Sequence, residues 1–133
     1  MSNLQTVQEI YEAFSRGDVP AILERCADAI VWEYGESSTD VPWLQRQEGK
    51  DGAAAVMAAT AAGTDLQKFE IKALIEGDGV VVVLFDTEFI VKENGKNVVE
   101  EDAVHIWRFD NEGKVSRFRH RIDTHQQHLA YRG

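Results

Sequence analysis

Cysteine is almost missing from this chain: Cys26 is the single one in 133 residues. No intramolecular disulfide framework can form, and no cysteine-based zinc site can be assembled. Ile22 and Leu23, near it at helical spacing, mark it as a small core thiol, and a reducing, cytoplasmic setting fits. Long apolar runs are missing too, since none approaches the roughly 18 residues of a membrane span. The opening Met1-Ser2-Asn3 lacks the basic and apolar regions of a secretory leader. Positive charge is in short supply, with 14 Lys and Arg against 23 Asp and Glu and a net charge of -9. That balance argues against nucleic acid, whose binders need a basic patch to displace counterions, and against anionic membrane surfaces. In the short run Arg117, Arg119, His120 and Arg121, the arginines are read as pairing with the chain's own acids. Repeats and low-complexity segments are absent.

What remains is a chain of ordinary apolar content, 44%, long enough as one domain (residues 1–133) to bury roughly two-thirds of its unfolded surface. Its first half is helical in pattern. Leu4, Val7, Ile10, Tyr11 and Phe14 form a stripe at helical spacing, Gly17 suits the left-handed residue that ends a helix, and Asp18 caps a second helix with Pro20 in its first turn. Ile30–Tyr34 reads as a short strand. A polar loop from Gly35 to Lys50 carries the apolar island Pro42-Trp43-Leu44, the composition of a lid or mouth. Asp51 then caps an alanine-rich helix over 52–62.

The second half carries strand signals only. Phe69, Ile71, Ala73 and Ile75 alternate with polar residues, and Gly77-Asp78-Gly79 turns the chain. Val80–Val91 is long and apolar, and Asn94-Gly95 is a strong hairpin signal. Val98–Phe109 and Val115–Asp123 complete a meander, followed by a polar tail, 124–133, either a short helix or disordered. Helices followed by a meander imply an α+β domain, and a long twisted sheet curled over helices leaves a cone with one open, partly apolar mouth.

Several apparent motifs carry no chemistry. His120, His125 and His128 match no metal-ligand spacing, so no metal is expected. Glu100-Glu101-Asp102 reads as an exposed strand face and lacks the glycine-containing loop of a calcium site. Gly77-x-Gly79 is a hairpin turn with no helix behind it to hold phosphate. Asp123 is different, because an acid closing a strand can be aimed into the concave side of a sheet, where burial raises its pKa. The competing reading pairs Asp123 with Arg119 or Arg121, or makes it the cap of the segment opened by Thr124.

Five segments, in order, resemble the SnoaL-like polyketide cyclases and ketosteroid-isomerase-related proteins of the nuclear-transport-factor-two-like superfamily. They are Val7-x-x-Ile10-Tyr11-x-Ala13-Phe14-x-x-Gly17-Asp18, Ala27-Asp28-Ala29-Ile30-Val31-Trp32, Glu48-Gly49-Lys50-Asp51-Gly52, His105-Ile106-Trp107-Arg108-Phe109 with Gly113-Lys114-Val115, and Asp123-Thr124. The resemblance implies a cone-shaped, curved and mainly antiparallel sheet wrapped around N-terminal helices, and a homodimer through the outer face of that sheet. It implies a cofactor-free enzyme moving a proton on a hydrophobic carbonyl compound, by isomerisation or cyclisation. Asp123 falls where the cyclases carry their acid/base, and His105 where a histidine recurs that would share the acid's proton or bind the developing oxyanion. Glu33 lies near the place of the isomerases' proton-shuttling acid, and Tyr11 is a possible oxyanion donor. Trp32, Tyr34 and Trp43 would shape the pocket, with Trp43 at its mouth. Strand alternation sets a condition, because Glu33 and the pair Trp32 and Tyr34 cannot share one face without a bulge. Two other activities fit the same fold: a binding or assembly module that holds a small ligand unchanged, and an epoxide hydrolase. The hydrolase would need Asp123, Arg119 or Arg121, and a second acid from Asp86 or Asp102.

Overall fold

A computed structural model describes all residues, 1–133. The chain opens with helix α1, Asn3–Arg16, which starts at a reciprocal cap: Ser2 Oγ accepts from the Gln5 backbone and Gln5 Oε1 accepts from the Ser2 backbone, satisfying two orphan donors of the first turn. It ends at Gly17 with φ of 67°, a conformation that favours glycine. Helix α2, Val19–Glu24, is capped by Asp18, whose carboxylate accepts from Ala21 N at 3.2 Å. Strand β1 spans Cys26–Glu33 and is longer than the stretch expected from 30–34. A loop leads to the two-residue strand β2, Gln47–Glu48, and to helix α3, Gly49–Gly63. Here the cap is Glu48 rather than Asp51, which lies in the first turn.

Four strands follow: β3 Thr64–Gly77, β4 Val80–Val91, β5 Asn97–Phe109 and β6 Val115–Arg121. The final segment is a helix, α4, Thr124–Arg132. The sheet order is β2-β1-β6-β5-β4-β3, with β1 and β6 parallel and every other pair antiparallel. It is therefore a mixed α+β sheet left open between β2 and β3, and not a closed barrel.

One face of the sheet is covered. Val81, Val83, Phe85, Thr87, Phe89 and Val91 alternate inward along β4, and the first three meet Val7, Ile10 and Ala13 of α1 and Ala53, Val56 and Met57 of α3 in a core of 17 buried residues. A second core of six, Val41, Trp43, Leu44, Phe89, Val91 and Val98, lies where the 34–46 loop and α4 close over the end of the sheet. Tyr34 and Ile122 pack against both cores. Trp43 is packed rather than solvated: it is 3% exposed, its Nε1 donates to buried Gln127 Oε1 at 2.7 Å, and its ring faces Phe89 and Tyr131, while one edge lines a cleft with Pro42 and Ala59. Gly63 is glycine for the same reason, since a Cβ there would meet the Trp43 ring at 2.7 Å.

A bulge in β5 reverses parity along one strand. Opposite Phe85 and Thr87 the register advances by three residues instead of two, and Asp102 takes a φ of 57°. The extra residue flips the strand, so Glu100 stands opposite inward-facing Thr87 while Ala103, His105 and Trp107 hold the same face beyond it.

Candidate functional site

The strongest concentration of polar chemistry lies inside the covered face, between α1 and strands β1, β5 and β6. His105 is 7% exposed, and its Nδ1 lies 2.6 Å from Tyr11 Oη. Trp107 Nε1 donates to the same Tyr11 oxygen at 3.1 Å. The indole can only donate, so the arrangement that satisfies every group has the Tyr11 hydroxyl donating to Nδ1. That leaves the His105 proton on Nε2. His120, one strand over on β6, stands edge-on to His105 with ring centres 4.2 Å apart. Its Nε2 is buried and has no hydrogen-bond partner, and the same holds for Trp32 Nε1.

Burial sets the protonation of this cluster. It drives His120 down to about 3, because an imidazolium there would lack solvent and counter-charge. His105 is lowered well below the usual histidine range by burial first and by its neighbour His120 second. Burial pushes the Tyr11 hydroxyl up, against a partial pull from its Trp107 hydrogen bond. It pushes Tyr34 up to about 12, with nearby Trp32 and Thr60 pulling the other way. The Tyr34 hydroxyl thus stands near the Trp32 indole. At neutral pH the whole cluster is uncharged.

A chain of aromatic contacts runs from it toward β3. Phe69 stacks on Phe85 at 4.7 Å and lies 5.7 Å from Tyr11, which is 6.3 Å from Phe14. Phe14, Phe69 and Ile71 are all more than a third exposed, so the rim is apolar and open to solvent. Phe14 closes the expected α1 stripe, but sits at this rim instead of in the core. A separate shallow cleft of about 370 Å³ between Pro42, Trp43, Ala59, Ala62, Val91 and Tyr131 lies over the second core. It is remote from the histidines, and none of the cluster's polar groups lines it.

The acids expected to act lie elsewhere. Asp123 is exposed, with its carboxylate capping α4 by accepting from Gln126 N at 3.0 Å. The strand ends two residues earlier, so Asp123 is not aimed into the concave side, and His105 bonds to Tyr11 rather than to it. Glu33 is fully buried on the opposite, outer face. Alternation holds through this part of β1: Trp32 faces the core, and Glu33 faces Arg119, Arg117 at 2.9 Å and Arg46 at 3.2 Å. Burial alone would raise its pKa, but the hydrogen bond and charge of Arg119, with Arg117 and Arg46, outweigh it and hold the carboxyl below the usual range. Glu33 is thus an ion-paired anchor between β1 and β6, outside the cluster.

Asp86 and Asp102 face Lys72 at 3.4 and 2.6 Å, far in sequence register from Arg119 and Arg121, and do not assemble the two-acid constellation of an epoxide hydrolase. Glu100 was read as a solvated strand face, but the bulge turns it inward. Burial raises its pKa, the Asp123 backbone N–H (2.9 Å from Glu100 Oε1) opposes this, and the charge of Asp123 adds to the rise. In sequence, His120 belongs to the cationic run and to the histidines that match no metal-ligand spacing, and neither reading turns it inward. Its parity with Phe118 and its opposition to the arginines were the available signals that it faces inward.

Comparison with known proteins places this geometry in a family. The chain overlays along its whole length, and the whole length of the other chain, on an NTF2-like protein of unknown function from Burkholderia pseudomallei K96243, with a TM-score of 0.86 and 27% identity. It overlays on TerC, a structure co-crystallised with polyporic acid, over 98% of each chain with a TM-score of 0.78 and 22% identity. A candidate polyketide cyclase of Pseudomonas putida KT2440 matches over 98% of each chain with a TM-score of 0.78 and 19% identity. No curated protein sequence matches. The SnoaL-like domain model matches residues 7–118, most of the chain, and the protein therefore belongs to the SnoaL-like domain family.

Proposed function

We propose that this protein binds a hydrophobic carbonyl compound on the covered face of its sheet and moves a proton alpha to the carbonyl without a cofactor, in an isomerisation or cyclisation. The observation that carries the reading is the Trp107–Tyr11–His105 string beside His120, whose buried Nε2 has no partner in the protein. The substrate enters past Phe14, Phe69 and Ile71, whose apolar surface favours a flat, uncharged molecule. His105, held in one tautomer by Tyr11, donates its Nε2–H to the carbonyl oxygen. A neutral imidazole suits this task, since a donor poised at a developing oxyanion stabilises charge only as it forms. His120 Nε2 takes the alpha proton. Burial lowers its pKa, and the enolate formed beside it supplies a counter-charge, so the step yields an ion pair instead of a lone buried cation. Return of the proton to another carbon completes an isomerisation, and attack of the enolate carbon on a second carbonyl completes a cyclisation.

The test is hydrogen–deuterium exchange at the alpha carbon of 2-tetralone in D2O, followed by proton NMR. The expected result is exchange above the buffer rate that disappears in His120→Phe while the variant stays folded. Binding of 2-tetralone with no added exchange would support the competing reading, a module that holds its ligand unchanged. That reading draws on the absence of any carboxylate from the cluster.

We also propose that two copies pair through the outer face. Val82, Leu84, Val104 and Ile106 are half-buried there beside exposed Ile75. Arg108 stands directly opposite Arg117 at one end of this strip, and Asp86 and Glu88 lie at the other. Like charges facing across strands are unfavourable, and a two-fold axis through the strip sets each arginine pair against the partner's acids. Sedimentation equilibrium of Arg108→Glu reads this: a weaker dimer supports it, and an unchanged mass argues against it.

A further inference from the structure

One asparagine in the chain precedes a glycine: Asn94, in the turn between β4 and β5. An Asn-Gly pair readily loses its side-chain amide, because glycine puts no Cβ in the way when its own backbone nitrogen attacks. This side chain also clamps α4. Its Nδ2 donates to Ala130 O at 2.7 Å and to Tyr131 O at 3.3 Å, and its Oδ1 accepts from Lys96 N at 3.0 Å. Both carbonyls lie in the last turn of α4, where no intrahelical donor remains. The attacking group is held as well, since Gly95 N donates to Val91 O at 2.8 Å. With α4 seated, the amide and the nitrogen that would displace it are each tied to a different partner.

We infer that Asn94 is a deamidation site gated by α4, shielded while the helix is seated and, once converted, unable to seat it again. The reaction needs only water. Gly95 N gives up its proton and bonds to Asn94 Cγ; the Cγ–Nδ2 bond breaks, and the amide leaves as ammonia with that proton. Water then opens the succinimide ring at either carbonyl, leaving aspartate or isoaspartate at position 94. Neither product has a donor for the Ala130 and Tyr131 carbonyls, and a carboxylate is repelled by the negative end of a helix. Helix α4 supplies Gln127 to Trp43 and packs Ala130 and Tyr131 against the second core. Conversion at Asn94 therefore turns a reversible lifting of α4 into a lasting exposure of that core. The inference is independent of the chemistry proposed for the covered face.

Mass spectrometry in mildly alkaline buffer reads the rate at Asn94 in the native chain and in the same chain held unfolded in guanidinium chloride. Isomerisation at Asp51-Gly52 or Asp78-Gly79 leaves the mass unchanged, and peptide mapping assigns the gain to Asn94. Two neutral hydrogen bonds hold the clamp, which predicts a native rate about 5- to 100-fold below the unfolded one. Gln127→Ala, which frees α4 from Trp43, should bring the native rate closer to the unfolded one. Equal native and unfolded rates, or a native rate that Gln127→Ala leaves unchanged, would overturn the inference. So would protection beyond about 10³-fold, the mark of a residue that reacts only from the globally unfolded chain. Asn94→Asp tests the seating of α4 without waiting for the reaction. The Trp43 indole proton, held by Gln127 in the wild type, should exchange with solvent about 5- to 100-fold faster in the variant, while the amides of β4 and β5 keep their protection. An unchanged Trp43 exchange rate in Asn94→Asp would show that the carboxylate still seats the helix, and the inference would fall.

Discussion

Replacing His120 by phenylalanine should make the fold less sensitive to acid, by an amount that follows from its burial. Folding holds the His120 pKa near 3, against about 6.5 in an unfolded chain. Because the folded value is depressed, the unfolded state binds the extra proton across the window between the two. Stability contributed by the neutral side chain is thus complete above about pH 6.5 and is lost as pH falls toward 3. Between pH 7 and pH 5 the loss from this one group comes to about 2 kcal/mol. His105, lowered in the same direction, adds to it in wild type and variant alike. Glu33 stays out of this window, because its depressed pKa lets its contribution fade only below the unfolded carboxylate value near 4.3. Glu100, raised by burial, acts in the opposite sense and is common to both proteins. Urea denaturation at pH 7 and pH 5 reads the difference: wild type should lose about 2 kcal/mol more than His120→Phe over that interval. Parallel losses, within about 0.5 kcal/mol, would mean that His120 is solvated and would refute the picture of a buried neutral wall.

Other consequences follow from particular contacts. His105→Phe removes the proposed donor to the oxyanion and should slow alpha exchange of 2-tetralone by about 10²–10³-fold, whereas Asp123→Asn should leave the exchange rate within about twofold. Glu33→Ala leaves three guanidiniums around an empty buried position; breaking a buried pair from one side costs about 3–5 kcal/mol, and partial exposure of the arginines brings the expectation to about 2–3 kcal/mol in urea denaturation. Gly63→Ala drives a methyl into the Trp43 ring, and overpacking of this kind should lower stability by about 1–3 kcal/mol.

Much of the fold was legible because it is local. The Gly17 and Asp18 caps, the Val80–Val91 strand and the Asn94-Gly95 turn each depend on a few adjacent residues, and the structure places them as their chemistry requires. Alternation also showed that Trp32 and Glu33 cannot share a face, though it did not say which of them looks inward. The choice is made by partners distant in sequence: Arg117 and Arg119 gather on the outer face around Glu33, and Phe118 meets Trp32 on the inner one.

The site was harder to read for related reasons. Asp123 closes an apolar-cationic strand in sequence, but the chain leaves the sheet after Arg121, and the carboxylate then serves the first turn of α4. Glu100 looked solvated because the bulge at Asp102, which reverses its parity, rests on a positive φ at a residue that is not glycine. Trp43 sits in a polar loop, the usual setting of a mouth residue, yet it finds Gln127 84 residues away and becomes the centre of a second core. Each of these outcomes was set by a long-range partner that periodicity and turn chemistry do not encode.

The proposed function puts ligand chemistry at the His105–His120 wall and not at Asp123. A single titration tests it most directly: adding 2-naphthol, a stable analogue of the enol of 2-tetralone, while following the imidazole nitrogens of His105 and His120 and the carboxyl carbon of Asp123 by NMR. Saturable shifts are expected at His105 Nε2 and His120 Nε2, with the Asp123 carboxyl unmoved. Shifts confined to Asp123, with both imidazoles silent at saturation, would contradict it.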